Sequence, residues 1–302
     1  MTATAVEARP HARQLQGVLL MVLAMLAIPA VDGIAKYLSA GYSPLFIGWA
    51  RYAVACLFVL PLAFARHGAR VFPPVQRGSH LLRTVLLVTS MTLYFLAIAR
   101  IPLATAISTF FVGPILAVVL SILILKEEIT RWKLASLALG FVGSLVILRP
   151  DAEIDPGILL AFAAGVSFAF YLIVTRQAAQ TSDPLQTLAF QCVVGAVLLT
   201  PQAVMWWSTP AWGDLAFFLG LGLCSAITHL LSIAAFRLAD ASALAPLVYI
   251  ELIGASLIGY LAFGEIPGAA TIVGAALIVL GGVILIRRRP QDAETQAESG
   301  VG

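Results

Sequence analysis

The chain has 302 residues, 61% of them hydrophobic and 11% charged, where an average soluble domain is roughly 45–50% apolar and 25% charged. A soluble fold of this length could not hide so much apolar surface. The net charge of +3 does not mark a nucleic-acid binder, because the basic residues sit in loops beside apolar runs, where membrane topology already accounts for them.

A spanning helix needs about 20 mainly apolar residues. Residues 1–14 form a tail carrying Arg9, His11 and Arg13. The apolar run that starts at Leu15 is too long for a signal-peptide core, and it holds Asp32 and Lys36 where a small-residue cleavage site would fall, so it is predicted to be the first span. Ten spans are predicted, at 15–38, 44–65, 80–99, 102–125, 132–149, 157–177, 185–207, 213–236, 241–263 and 268–287. The polar stretch 290–302 is predicted to be a disordered cytoplasmic tail. Cys56, Cys192 and Cys224 all lie inside apolar runs, a number and placement that argue against a disulfide framework, a zinc site or redox chemistry.

The loops alternate in charge. With the N-terminus in the cytoplasm, the inner side receives Arg9, Arg13, Arg66, Arg70, Arg77, Arg83, Lys126, Arg131, Lys133, Arg176, Arg237, Arg287, Arg288 and Arg289. Only Lys36, Arg100 and Arg149 fall outside, and Arg51 lies within the second span. An even number of spans with both ends inside follows. The chain also repeats itself. Lys36, seven residues, then Pro44-Leu45 matches Arg176, seven residues, then Pro184-Leu185; later Glu127 matches Glu265, Gly143 matches Gly281 and Arg149 matches Arg287. Each unit holds five spans, an odd number, so the second copy must enter from the opposite face. The expected fold is therefore an all-α membrane protein of ten transmembrane helices, built as two five-helix inverted-topology repeats at 15–150 and 151–289. That construction belongs to alternating-access carriers with a site near the midplane.

The two-fold five-helix pattern, the segment FVGPILAVVLSILILKEEIT with a Gly-rich helix ending at Arg149-Pro150, and its echo YIELIGASLIGYLAFGEIPG ending at Arg287 resemble the EamA family of the drug/metabolite transporter superfamily. The resemblance covers nearly all of residues 15–289. It implies a multi-pass protein of the bacterial inner membrane that moves a small molecule, with spans one, three, four, six, eight and nine around a central cavity. Within the family the general pattern is similar to amino-acid exporters of the aromatic type. The alternative is an importer of a vitamin or nucleoside-like metabolite of the riboflavin kind, whose planar cargo would use an aromatic wall more than an acid. A scaffold or intramembrane enzyme is the remaining alternative.

No nucleotide-binding loop, metalloprotease motif or nucleophile elbow occurs, so neither a cofactor nor enzyme chemistry is expected. The expected partners are a small-molecule substrate, taken as an amino acid, and the lipid bilayer, in a monomer or homodimer. Attention turns to ionisable groups at membrane depth, each costing about 2.5–3.5 kcal/mol at a helix centre unless paired or facing a cavity. Asp32 and Arg51 would lie about 10 Å below the outer surface and are expected to pair, with Lys36 one turn above Asp32 as a second partner. Such a pair would fix a helical hairpin or serve as an extracellular gate. His229 and Glu251 would lie about 12 and 15 Å from the inner surface, close to the midplane. Glu251 is the candidate contact for a substrate amino group or a coupling proton, with His229 beside it; a polar contact holding two helices together is the structural alternative.

Aromatic side chains supply the rest of the candidate wall: Phe110 and Phe111 before Gly113-Pro114 in span four, Phe168 and Tyr171 in span six, Tyr94 in span three and Tyr249 beside Glu251. Pro29, Pro114 and Pro246 are expected to interrupt spans one, four and nine, which would suit Pro114 and Pro246 to gating motion. Gly140, Gly143, Gly274, Gly281 and Gly282 would let spans five and ten approach closely, either within one chain or across a dimer. Glu127 and Glu265, in equivalent loops, are expected to cap the helix that follows each.

Overall fold

In the computed structural model, the described residues are 4–74, 76–125, 131–148, 155–178, 183–238, 247 and 250–287. They form eleven α-helices in chain order: α1 Thr4–Leu38, α2 Pro44–His67, α3 Arg77–Ile98, α4 Leu103–Phe110, α5 Val112–Leu125, α6 Arg131–Leu148, α7 Pro156–Ala178, α8 Pro184–Met205, α9 Leu215–Leu238, α10 Ile250–Phe263 and α11 Ala269–Arg287. A 3-10 turn, Trp212–Asp214, precedes α9. No strand occurs among the described residues.

The helix starts follow simple chemistry. Ser43, Asp155 and Asp183 each stand before a proline at the first helical position, and each side chain accepts the amide two residues on, from Leu45, Gly157 and Leu185 respectively. An oxygen-bearing cap satisfies an orphan amide, and proline gives up no donor that the first turn would use. Among the described residues, six helices are long and apolar enough to cross a membrane: Leu15–Leu38, Pro44–His67, Arg77–Ile98, Pro156–Val174, Pro184–Met205 and Trp212–Ser232. Shorter apolar helices, Leu103–Ala117, Ala138–Ile147, Ile250–Phe263 and Ala269–Gly281, fall in the remaining predicted spans.

Two predicted spans differ in detail. The fourth is broken into α4 and α5 at Phe111, and Pro114 occupies the first turn of α5 rather than the break itself. Proline is tolerated there because the first-turn amides have no intrahelical acceptor. Pro29 does not interrupt α1, which is helical from Thr4 to Leu38. Of the ninth span, only Leu247 and Ile250 onward are described, so Pro246 and Tyr249 lie outside the described residues. The Lys126–Glu128 loop and the tail after Arg287 lie outside them too.

Packing does not follow chain order. α1 lies against α9 and α10, α2 against α8 and α9, and α3 against α7 and α8; α4 touches α7 and α10, α5 touches α7, and α6 pairs with α11. One buried cluster draws a residue from each helix: Val31, Phe46, Phe95, Ile107, Ile115, Ile147, Ala161, Ala203, Leu221, Ala255 and Ile278. Outside this core, Leu15, Leu19, Leu23 and Leu26 are exposed along one face of α1, and similar apolar side chains are exposed on the other helices. A face of that kind is at home in lipid and would aggregate in water. At the α6–α11 contact, a Cβ on Gly143 would stand 2.7 Å from the Gly274 carbonyl oxygen, and one on Gly274 would stand 2.6 Å from that of Gly143. These two predicted small-residue positions therefore serve an approach within one chain.

Candidate functional site

Two buried groups of polar residues adjoin a run of aromatic rings. The first lies among α2, α3, α8 and α9. Arg51, 4% exposed, donates from Nε to Ser225 Oγ at 2.6 Å. Its guanidinium lies 5.3 Å from the Tyr52 ring centre and 5.7 Å from that of Phe95. Aromatic faces of this kind stabilise a cation where water is scarce. Arg51, Tyr52, Gln191, Ser225 and His229 line a cavity of about 10 Å³. Such a volume admits one water at most.

Arg83 adjoins this cavity through Gln191, donating from Nη2 to Gln191 Oε1 at 3.3 Å. It lies 5.7 Å from the centre of the Tyr171 ring. The charge pattern of the loops assigned Arg83 to the cytoplasmic face. Within α3 it is buried, 6% exposed. The available signal was its position three residues inside the predicted third span. Gln191 and Ser225, also unpredicted, could have been found as polar side chains within otherwise apolar runs.

The second group is acidic. Asp32 on α1 accepts a hydrogen bond from the Tyr94 hydroxyl at 3.1 Å. Glu251, buried in the first turn of α10, is within Coulombic range of Asp32 and of Tyr94. Between the acids and Arg83 run four rings, whereas Arg51 is within Coulombic range of Asp32. Tyr94 and Phe110 are 5.3 Å apart, Phe110 and Phe168 4.9 Å, and Phe168 and Tyr171 5.3 Å, centre to centre. Spacings in this range are those of favourable ring pairs. The fold thus brings together Tyr94, Phe110, Phe168 and Tyr171, four rings singled out in the sequence. Phe111 is buried at the α4–α5 junction.

Three expected contacts are replaced by others. Asp32 and Arg51 form no ion pair; the ion pairs among the described residues are Lys36–Glu265 and His67–Asp183. The reason is packing: α1 leans on α9 and α10, whereas α2 leans on α8 and α9, so the helices of the predicted hairpin are poorly placed to face each other. His229 does not pair with Glu251. Its Nδ1 lies 3.0 Å from the Ser225 carbonyl oxygen, and the ring shares the cavity of Arg51. Lys36 does not join Asp32 either. Its Nζ donates to the carbonyl oxygens of Ile98 at 2.8 Å and Ile101 at 2.7 Å, and pairs with Glu265 Oε1 at 2.7 Å. The other oxygen of Glu265 accepts the amide of Leu103 at 2.9 Å. Glu265 is therefore a helix cap, as expected, but for α4 rather than for α11, which follows it.

A sequence model of the EamA-like transporter family matches this chain twice, over residues 15–149 and 155–287. The chain belongs to the EamA-like transporter family. It is a multi-pass membrane protein that transports small metabolites. Among relatives of this EamA-like protein is an S-adenosylmethionine uptake transporter of Rickettsia felis, 28% identical over 286 residues, covering 94% of this chain and 97% of its own. The corresponding protein of Rickettsia bellii is 30% identical over 268 residues, covering 88% and 91%. A riboflavin transporter of Vibrio cholerae is 29% identical over 276 residues, covering 88% and 91%. A crystal structure of 18% sequence identity superposes with a TM-score of 0.65 over 92% of this chain and 98% of its own, a likeness of fold.

Proposed function

We propose that this EamA-like protein is an uptake transporter for a heteroaromatic metabolite of the S-adenosylmethionine or riboflavin kind. It works by alternating access between two five-helix halves of opposite topology, with both termini in the cytoplasm of a bacterial cell. The double family match supports the two halves. So does the packing: exchanging the halves turns the α1–α9 pair into α7–α3, α2–α9 into α8–α3, and α1–α10 into α7 with α4 and α5, while α2–α8 and α6–α11 map onto themselves. The proline-preceded caps at Ser43 and Asp183 are likewise related by this exchange, 140 residues apart.

The observation that carries the cargo class is the run of rings from Tyr94 to Tyr171 at the meeting of α3, α4 and α7. A flat heterocycle inserted against such rings gains about 1–3 kcal/mol per stacked ring by the measure of nucleobase-binding proteins. Asp32 and Glu251 at one end, and Arg83 at the other, orient polar substituents. The amino-acid export expected from the sequence has no support in the named functions of these relatives, and the importer alternative has it. Purified protein in liposomes should take up labelled S-adenosylmethionine or riboflavin saturably, each competed by its own unlabelled form. Absence of saturable flux of both would remove this reading.

A further inference from the structure

Arg51 and Arg83 are two guanidinium groups buried within α2 and α3, and the groups that accept hydrogen bonds from them are neutral; Asp32 is within Coulombic range of Arg51 without pairing with it. The hydrogen bonds described for the pair use one N–H of each, to Ser225 Oγ and to Gln191 Oε1. No carboxylate among the described residues lies within ion-pairing distance of either. Arg83 Nε and the Tyr52 hydroxyl, the latter on a residue 3% exposed, are buried polar atoms without a hydrogen-bond partner among the described residues. A buried donor left unmet is costly, and a buried cation without an anion more so. His229, the remaining ionisable side chain lining the cavity apart from Cys192 and Tyr52, lies in the field of both arginines. It offers them no negative charge.

Guanidinium groups present planar forks of donors that match the two oxygens of a carboxylate. We propose that Arg51 and Arg83 form an oxyanion subsite that receives the carboxylate of the transported metabolite, with Gln191, Ser225 and the Tyr52 hydroxyl as its neutral donors. This assignment rests on the uptake function proposed above and narrows it. S-adenosylmethionine carries a carboxylate and riboflavin carries none, so the subsite selects the amino-acid-bearing nucleoside over the neutral flavin. The ring of Tyr171, against which Arg83 lies, continues the aromatic run from the subsite towards Phe168. In this conformation the cavity of about 10 Å³ is too small for a carboxylate.

The test compares S-adenosylmethionine with its decarboxylated analogue, and riboflavin with flavin mononucleotide, in liposomes carrying wild-type protein, Arg83→Gln, Arg83→Lys or Arg51→Lys. The wild type is expected to take up the carboxylated nucleoside at least about tenfold more efficiently than the decarboxylated one, a difference of about 1.4 kcal/mol. Arg83→Gln should bring that ratio to within about threefold of unity, with Arg83→Lys between, because lysine keeps the charge and loses the fork. The ratio is internal to each preparation, so it does not depend on how much variant folds, and the wild-type ratio stands without any variant. Equal wild-type uptake of the two nucleosides, or an unchanged ratio in the Arg83→Gln and Arg51→Lys transporters, overturns the subsite. Uptake of riboflavin without S-adenosylmethionine also overturns it while sparing the transport function, and preference for flavin mononucleotide over riboflavin reassigns the oxyanion to phosphate. Uptake of none of the four overturns both readings.

Discussion

Replacing Glu265 by alanine removes two contacts that tie the ends of α1, α4 and α10 together. Its carboxylate pairs with Lys36 at 2.7 Å, with side-chain exposures of 14% for Lys36 and 17% for Glu265, and caps the Leu103 amide at 2.9 Å. Loss of a helix cap costs about 0.5–2 kcal/mol. The ion pair is mostly shielded yet touches solvent, so it falls between the ~0–1 kcal/mol of an exposed pair and the ~3–5 kcal/mol of truncating a fully buried one. Discounted for that exposure, it contributes about 1–2 kcal/mol. The total, about 2–4 kcal/mol, should lower the melting temperature of detergent-purified protein by roughly 4–10 °C, read from intrinsic tryptophan fluorescence. Glu265→Gln retains an acceptor for Leu103 and loses only the charge, so its shift should be clearly smaller. Lys36→Ala combined with Glu265→Ala should destabilise less than the sum of the single variants. Strict additivity, or a shift under about 1 °C for Glu265→Ala, would refute the clamp.

Phe168→Ala removes the middle of the aromatic run and should raise the half-saturation concentration for the cargo by roughly 5- to 160-fold, the equivalent of about 1–3 kcal/mol; an unchanged value in the liposome assay would exclude stacking there. Tyr94→Phe keeps the ring and deletes the hydrogen bond to Asp32, so uptake efficiency should fall by about 2- to 12-fold, or about 0.5–1.5 kcal/mol, with stacking intact; a loss as large as that of Phe168→Ala would argue against separate roles. Gly143→Ala places a methyl group 2.7 Å from a backbone oxygen, which cannot rotate aside, and should cost about 1–3 kcal/mol of stability. Gly220→Ala is the control, because its added carbon meets only Ile34, at 3.8 Å; equal melting shifts for the two variants would contradict the close approach of α6 and α11.

What the sequence could reveal was governed by locality. Membrane-length apolar runs, and caps such as Ser43-Pro44 and Asp183-Pro184, depend on neighbours along the chain, and these elements appear as expected. The aromatic wall was also accessible, because large rings at midspan must be buried against something. Partnerships were not. Asp32 finds Tyr94 rather than Arg51, and Lys36 finds Glu265, 229 positions away by number, because consecutive helices are not the ones that pack most closely. The burial of Arg83 was concealed by the rule that located the loops: a basic residue near the inner end of a span reads as an anchor, and its packing against Gln191 and Tyr171 is not visible in the sequence. The break at Phe111 carries no proline or glycine of its own; the breakers, Gly113 and Pro114, follow it within α5.

The reciprocal contact of Gly143 and Gly274 brings the backbones of α6 and α11 together. Each glycine lies against the other's carbonyl oxygen, and Ile147, Leu277 and Ile278 pack around the point of contact, so neither position has room for a side chain. Neither helix carries any of the acids, arginines or rings assigned to the cargo. On the transport function proposed above, a change of cargo engineered at Arg83 or Phe168 would leave this helix contact undisturbed.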